Sequence, residues 1–340
     1  MMLSKTDASA APLRVALFGA GRMGAIHAGT LDRHPGAQLA GIVDSYRANA
    51  ESLAARYTVP SLDEDAVFAD ATIDAVVIAS AADSHPHLIQ RAVETKKAIF
   101  CEKPLARDLN AVRSVAHLVE QSKLPFLLAF NRRFDPDFAA LVSRVREGEI
   151  GAIEFAVLTS RDPSPPPIDY ILKSGGIFRE TTIHDIDVAR WLTGEDPVSV
   201  QATASSLTSQ AMSDAGLADT VVLTMCMPSG AIVTINNSWR AAYGYDQRVE
   251  VLGKLGMLQV ANRLQNGVTK MGGSGTWNAN PEPFFLERYS NAYRSELDYF
   301  VTAVREGSLI SPTVSDGLKA LEIAYAAEES AKTGQMVALV

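Results

Sequence analysis

A doubly wound parallel α/β domain followed by an α+β domain with a mainly antiparallel open sheet is the fold class that this 340-residue sequence predicts. Three observations predict it. Through the first 130 residues, short and nearly continuous apolar runs alternate with longer helix-periodic stretches. Parallel strands buried on both faces and joined by right-handed helical crossovers have that pattern. A glycine-rich turn, Gly19-Ala20-Gly21-Arg22-Met23-Gly24, stands where the first run gives way to the first helical stretch. Past residue 150 the runs alternate apolar with polar residues or are β-branched, and tight turns such as Pro228-Ser229-Gly230 join them, as in an antiparallel sheet with one covered face.

The first domain takes residues 13–130, after a small polar tail at 1–12. Its strands are expected at 13–19, 38–43, 73–79, 98–101 and 125–130, each too short and too uniformly apolar for an amphipathic helix. Helices at 22–33, 46–56, 84–96 and 108–122 lie between them, with Asp83 or Ser84 and Asp108 as N-caps of the last two. A helix at 135–147, ending at Gly148, opens the second domain, 131–340. Strands follow at 151–160, 197–207, 219–227, 231–239 and 246–252, and helices at 184–193, 285–306 and 315–332. The last helix is a candidate to pack back on the first domain. Residues 264–283, rich in Gly, Asn and Thr, read as a long surface loop.

Charge and composition narrow the partners. Lysine and arginine number 31 against 39 acidic side chains, a net charge of −8. A binder of phosphate backbones carries a basic excess, so nucleic acid is not expected. Hydrophobic residues at 47% and charged residues at 21% exclude a disordered or coiled-coil chain. Cys101 and Cys226 are too few for a disulfide framework and point to a reducing, cytoplasmic compartment. Residues 1–12 lack the apolar core of a signal peptide, and no run approaches the ~18–20 apolar residues of a membrane span.

The chemistry starts at the glycine turn. Its G-x-G-x-x-G spacing gains weight from its place between a strand and a helix. Gly19 permits the tight turn, Gly21 lets backbone approach a pyrophosphate, and Gly24 allows close helix–strand packing, with Arg22 and Met23 at the start of the helix. Asp44 ends the second strand, where an acidic side chain takes both ribose hydroxyls and repels a 2′-phosphate, which favours NAD over NADP. Arg47 is near enough to weaken that preference.

Lys103, in Glu102-Lys103-Pro104, follows the 98–101 strand directly and so stands at the carboxyl edge of the sheet, where ligands of such sheets bind. A lysine there suits stabilisation of an alkoxide as hydride leaves. Further on, two glycines precede a helix with Glu180 and His184 at i and i+4, sharing a face if the helix starts early enough. His184 titrates near neutrality and suits removal of a hydroxyl proton, with Glu180 orienting it or binding substrate. A metal site at His184, Asp185 and Asp187 lacks a further clustered His or Cys, and no metal is expected.

GAGRMGAIHA (19–28), CEKPL (101–105), NRRFD (131–135), SRDPSPPP (160–167), SGGIFRETTIHDIDVARW (174–191) and YGYDQR (243–248) together resemble the Gfo/Idh/MocA oxidoreductases, the later four their inositol dehydrogenase branch. The resemblance spans nearly the whole chain. It implies a Rossmann domain, an α+β substrate domain whose sheet often mediates tetramers, and NAD-dependent oxidation of a ring secondary hydroxyl, that of inositol to a keto-inositol. It places the catalytic pair on Lys103 and His184. Cofactor contacts fall on Ser80, His85, Glu102, Lys103 and Pro104 beside the glycine loop. Substrate contacts fall on Arg132, Asp162, Glu180, Thr181, His184, Tyr243 and Tyr245. One departure concerns substrate choice: the branch usually has aspartate where this chain has Glu180, and the extra methylene changes which ring hydroxyls the carboxylate reaches. Another cyclic polyol or an aldose (scyllo-inositol, D-chiro-inositol, glucose) is the alternative substrate. A non-catalytic NAD-binding regulator is the alternative of another class, against which the intact lysine–histidine pair speaks. Trp239 stands where the branch often has arginine.

Several features have plainer readings. His85 and His87 open a helix, with His85 near the nicotinamide rather than at a metal. Ser164 to Pro167 stiffens a loop that walls the pocket. Two arginines at 132 and 133 fall short of a nucleic-acid footprint. Cys101 lies inside an apolar run and reads as core. Phe285, Tyr289, Tyr293 and Phe300 recur at near-helical spacing, as a packed stripe does.

Overall fold

The structure, a computed structural model, describes residues 11–339, so all but the last two residues of the expected 1–12 tail lie outside it. The chain divides into two compact units. One takes the residues up to Ala129 together with Tyr293–Val314, the other Phe130–Ala292 with the residues from Ser315 on.

The first unit runs β1 (Leu13–Phe18), α1 (Arg22–Arg33), β2 (Ala37–Val43), α2 (Arg47–Tyr57), α3 (Glu64–Ala69), β3 (Ala75–Ile78), α4 (His85–Glu94), β4 (Ala98–Glu102), α5 (Leu109–Ser122) and β5 (Phe126–Ala129). The five strands form a parallel sheet in the order β2-β1-β3-β4-β5. Every residue of β3 and β5 is buried and apolar, because helices cover both faces of the sheet. Each such aliphatic side chain taken from water contributes about 1.5–3 kcal/mol. The crossovers leave β1 in opposite directions, toward β2 and toward β3, so the carboxyl ends of β1 and β3 flank the switch point at which open α/β sheets bind ligands.

Local signals account for most of the boundaries. Asp108 caps α5 by accepting from the Ala111 amide at 3.0 Å. Ser84 holds the N-cap position of α4, but its hydroxyl turns back to the Ala81 carbonyl at 2.7 Å instead of capping. α3 has no counterpart among the elements expected from the sequence. Only Val67 and Phe68 are buried in its six residues, too few to show a period, and Phe68 stacks on Phe18 with ring centroids 5.4 Å apart.

The second unit contains α6 (Pro136–Arg146), β6 (Ile153–Arg161), α7 (Ile168–Ser174), a π-helical turn at Phe178–Thr182, α8 (Ile183–Thr193), β7 (Ser199–Ser205), α9 (Gln210–Asp214), β8 (Thr220–Cys226), β9 (Ile232–Ser238), β10 (Asp246–Gly253) and β11 (Gly256–Val260). After these come the hairpin β12 (Thr269–Gly272) and β13 (Gly275–Asn278), α10 (Phe285–Arg288), α11 (Ser290–Glu306), α12 (Val314–Thr333) and β14 (Val337–Ala338). Seven strands pair in the order β11-β10-β6-β9-β8-β7-β14. All pairs are antiparallel except β6 with β9, which run parallel with Arg161 opposite Ser238.

Three expectations need correction. The loop expected at 264–283 contains the β12–β13 hairpin; all eight of its strand residues are exposed, so no buried face writes a period into the sequence. The helix expected at 285–306 breaks at Tyr289, where Arg288 and Tyr289 turn fully inward and Arg288 pairs with buried Asp135. The returning segment of the first unit is 293–314, which includes most of α11; the last helix belongs with the second unit. That segment covers the sheet edge, since the Leu128 amide on β5 donates to the Pro312 carbonyl at 3.1 Å. Among the described residues no helix is long and apolar enough to cross a membrane.

Candidate active site

In the first unit the expected cofactor residues gather at the carboxyl ends of β1 to β4. Gly19 has φ +104°, and a Cβ there would lie 2.5 Å from the Ala79 carbonyl oxygen. A Cβ on Gly24 would lie 1.9 Å from the Gly19 carbonyl oxygen, so α1 is seated directly on the loop that feeds it. Around Gly21 a Cβ would meet nothing within 4 Å, which leaves that side of the loop open. No side chain caps the start of α1 and its first turn carries no acid. An anion at such a helix start gains about 0.3–1 kcal/mol from the dipole. Arg22 and Met23 form that first turn. The cradle fits a pyrophosphate.

Asp44 follows β2, its Oδ2 accepting from the Ala20 amide at 2.7 Å and its Oδ1 from the Tyr46 amide at 2.8 Å. A carboxylate has about four acceptor positions, so this anchoring leaves room for ribose hydroxyls. Arg47 is engaged with Glu51 at 2.9 Å and Asp63 at 3.6 Å.

His85 is an internal brace. Its Nδ1 lies 2.9 Å from the Pro104 carbonyl and its Nε2 3.1 Å from the Ser80 carbonyl, which ties the end of β3 to the loop after β4. Burial pulls its pKa below the usual histidine value, against the opposing pull of the two carbonyls. The ring is therefore neutral at pH 7 and donates from one nitrogen at a time. Ser80 and Ser84 share a hydroxyl hydrogen bond at 2.6 Å. Cys101 is buried and its thiol pKa is pushed well up by burial, as for an inert core residue. Glu102 ends β4 buried, accepting from His27 Nε2 at 2.7 Å. Lys103 and Pro104 follow, partly exposed, across a cis peptide bond.

In the second unit the site residues collect where β6, β9 and β10 meet. Asp162 follows β6, its amide donating to the Ser238 carbonyl and its carbonyl accepting from the Ala241 amide, both at 2.9 Å. Glu180 and Thr181 lie in the π turn, and partly exposed His184 opens α8 with its ring edge-on to Phe130, centroids 6.0 Å apart. A π turn inserts a residue into the helical repeat and re-aims the side chains beyond it. The Tyr170 hydroxyl on α7 donates to Glu180 Oε1 at 2.9 Å. Trp239 is fully buried and donates from Nε1 to Thr181 Oγ1 at 2.8 Å, so the tryptophan locks the π turn to the end of β9.

Asp185 is the hub beneath His184. It accepts from Arg132 Nη1 at 2.5 Å, Ser160 Oγ at 2.7 Å and Asn237 Nδ2 at 2.8 Å, all buried. Burial alone would lower the Arg132 pKa; the Asp185 carboxylate more than reverses this and holds the guanidinium charged. Arg132 Nη1 is thus committed to Ser160 and Asp185, with the guanidinium 5.9 Å above the Tyr289 ring. The neighbouring pair repeats the theme, Arg133 holding Asp187 through two hydrogen bonds at 2.9 and 2.6 Å. Asp185 and Asp187 are therefore arginine partners, and among the described residues no group of three His, Cys, Asp or Glu could hold a metal. Tyr243 donates to Asp246 Oδ2 at 2.6 Å and accepts from Arg161 at 3.1 Å, while buried Tyr245 packs edge-on against Phe284 and Tyr289.

Sequence reasoning missed Asp185, Ser160, Asn237 and the role of Trp239. The sequence shows the adjacent arginines 132 and 133 and the Asp185-x-Asp187 spacing but not their pairing or their burial, which the structure supplies.

Comparison with known proteins places two family models on the chain. The model for the oxidoreductase family with an NAD-binding Rossmann fold matches residues 13–130, and the Gfo/Idh/MocA C-terminal domain matches 138–259. An inositol 2-dehydrogenase of Rhizobium meliloti is 43% identical over 327 residues, 96% of this chain and 99% of that protein. The crystal structure of a myo-inositol dehydrogenase from Corynebacterium glutamicum superposes with a TM-score of 0.93 at 42% identity, covering 97% of this chain and 99% of that one. A scyllo-inositol dehydrogenase from Lactobacillus casei, solved with bound NAD(H) and scyllo-inositol, superposes with a TM-score of 0.90 at 29% identity, covering 96% and 99%.

Proposed function

The chain belongs to the Gfo/Idh/MocA oxidoreductase family, and from that premise we propose that it oxidises a ring secondary hydroxyl of an inositol to the keto-inositol with NAD as acceptor. The observation that carries this reading is the 43% identity, over nearly the full length of both chains, to an inositol 2-dehydrogenase.

His184 takes the hydroxyl proton as the C–H bond breaks, and Lys103 stabilises the oxygen on which negative charge develops. Bound NAD supplies the hydride acceptor, so the alcohol loses one hydride and one proton and becomes a ketone. Glu180, Arg132, Asp162, Thr181, Tyr243 and Tyr245 fix which ring carbon is presented. The backbone around Gly19, Gly21, Arg22, Met23 and Gly24 holds the pyrophosphate, Asp44 the ribose, and Ser80, His85, Glu102, Lys103 and Pro104 the nicotinamide end. Such positioning is worth roughly 7–11 kcal/mol of barrier.

A second reading, preference for another ring polyol such as scyllo-inositol, is favoured by Glu180, whose longer side chain is steadied by Tyr170. Nicotinamide absorbance measured across inositol isomers and aldoses, with NAD and NADP compared, tests both. Inactivity on every polyol overturns the main reading.

We place the enzyme in the cytoplasm as a homotetramer. The two-cysteine composition supports the first point. A cross-strand row on the seven-stranded sheet supports the second: Cys226, Ile232, Phe155, Leu252 and Met257 stand side by side on five strands. Phe155 is half-buried and the other four are exposed, an apolar row of the kind that marks an interaction surface.

A further inference from the structure

Tyr243, proposed above to face the substrate ring, stands in a loop tied to the end of β6. The Asp162 carbonyl accepts there from the Ala241 amide at 2.9 Å, so two candidate substrate residues share one anchorage. Tyr243 is 42% exposed, and its hydroxyl leans on Asp246, the fully buried first residue of β10. The phenol oxygen lies 2.6 Å from Asp246 Oδ2 and 3.1 Å from Arg161 Nη1. Asp246 stands opposite Arg161 in the β10–β6 register, and Arg161 is itself fixed, its Nη2 donating to Asn236 Oδ1 at 2.8 Å.

The direction of each bond follows from what the partners can give. Asp246 Oδ1 accepts from Arg248 Nε and Asn262 Nδ2, both at 2.7 Å, and Oδ2 accepts from Arg248 Nη2 at 3.0 Å. Burial would raise the pKa of this carboxyl; the hydrogen bonds it accepts more than reverse that and hold it below the usual carboxylate range. Asp246 is therefore a carboxylate with no proton to donate, and Tyr243 is the donor. Burial, and then the bond to Asp246, push the phenol pKa up, so the proton stays on the tyrosine. Arg161 can only donate, and it donates to the phenol oxygen. A hydroxyl has one proton and two lone pairs. The proton and one lone pair of Tyr243 are thus spent inside the protein, and a single lone pair is left to meet a ligand.

We infer that Asp246 and Arg161 are positioning residues that set specificity: they make Tyr243 a hydrogen-bond acceptor only, so the ring carbon facing it must carry a hydroxyl that donates. The inference rests on the reading of Tyr243 as a substrate contact. A ketone, ether or fluorine at that carbon sets lone pair against lone pair and leaves both polar groups unpaired, which costs affinity. A keto-inositol therefore fits only with its carbonyl directed elsewhere, and the two residues fix the register of the product as well as that of the substrate.

The test measures dissociation constants of myo-inositol and of its monodeoxy and monodeoxyfluoro analogues by calorimetry on the full chain with NADH, where no turnover occurs. Tyr243→Phe identifies the ring position: there the preference of the wild type for hydroxyl over hydrogen, about three- to tenfold for one hydrogen bond, is lost. At that position the wild type should bind the fluoro analogue no better than the deoxy one, since neither has a proton to give. Asp246→Asn keeps the size of the side chain and reverses the arrangement. Arg248 Nε and Asn262 Nδ2 pin the amide oxygen at the Oδ1 place, so the amide nitrogen takes the Oδ2 place and donates to Tyr243. The phenol proton then turns to the ligand, and this variant should bind the fluoro analogue about twofold or more tighter than the deoxy one. A wild type that prefers fluorine to hydrogen at the Tyr243 position overturns the inference. So does a Tyr243→Phe variant that changes the preference at no position, and both results stand whether or not the Asp246 variant folds. A folded Asp246→Asn that keeps the wild-type order overturns it as well. A chain that shows the pattern yet reduces no NAD with any inositol fails the dehydrogenase reading alone; one that oxidises inositol without the pattern fails this inference alone.

Discussion

Lys103 stands one residue past β4, and the residues on either side of it are fixed by long-range hydrogen bonds: Glu102 by His27, and the Pro104 carbonyl by His85. Replacing Lys103 with Ala removes the proposed donor to the developing oxyanion without touching this bracing. The expected result is a kcat at least 10²–10⁴-fold lower, with NAD affinity by fluorescence titration changed less than about threefold, since the residues proposed to hold the pyrophosphate and ribose lie elsewhere in the fold. At Glu180, shortening to Asp withdraws the carboxylate from the Tyr170 hydroxyl. The ratio of kcat/KM for myo- over scyllo-inositol should then move by about tenfold, and an unaltered substrate profile counts against Glu180 as the selecting residue. At this scale the sequence was legible where spacing along one strand–turn–helix places the groups, as at Gly19, Gly24 and Asp44. It was not legible where a partner lies far along the chain. Arg132 and Asp185 are 53 residues apart, and nothing local to either announces the other.

The element that carries the candidate residues of the second unit is α8 with its π turn. Trp239 holds the turn at Thr181, and Asp185 holds the helix to the ends of β6 and β9. Asp185→Ala leaves the Arg132 charge buried and unpaired, at a cost of about 3–5 kcal/mol. A drop of roughly 10 °C in melting temperature is expected, together with a loss of turnover, because His184 is carried on the same helical turn. Trp239→Phe should cost less, about 0.5–1.5 kcal/mol for one hydrogen bond, and should raise KM more than it lowers kcat. Strongly patterned elements such as β1, α1, α5 and β8 were legible from their apolar residues. α3, α7, α9, β11 and the β12–β13 hairpin were not. Most of them have few buried positions, so their sequences are hard to tell from loop.

For the whole molecule, the fold class was readable because parallel and antiparallel sheets write different hydrophobic patterns, continuous in β3 and β5 and alternating in β8 and β9. The exposed row Ile232, Leu252 and Met257 was not readable, since it emerges only once strand register is known. Ile232→Glu places a charge within that row. Light scattering should then report a smaller species, with an unchanged circular dichroism spectrum; a full-sized assembly would exclude this face as the contact. The return of residues 293–314 to the first unit also bears on how the protein is made. On the ribosome the five parallel strands emerge early, yet the segment bearing Glu296, Phe300 and Pro312, which covers the β5 edge and completes the interior around His27, arrives roughly 10–40 s later at ordinary elongation rates. For that interval the nascent nucleotide-binding sheet has an open edge and an unfinished core. A chain truncated after residue 130 remains in that state, and we expect it to accumulate in the insoluble fraction, whereas the same residues expressed with 293–314 joined by a linker should be recovered soluble.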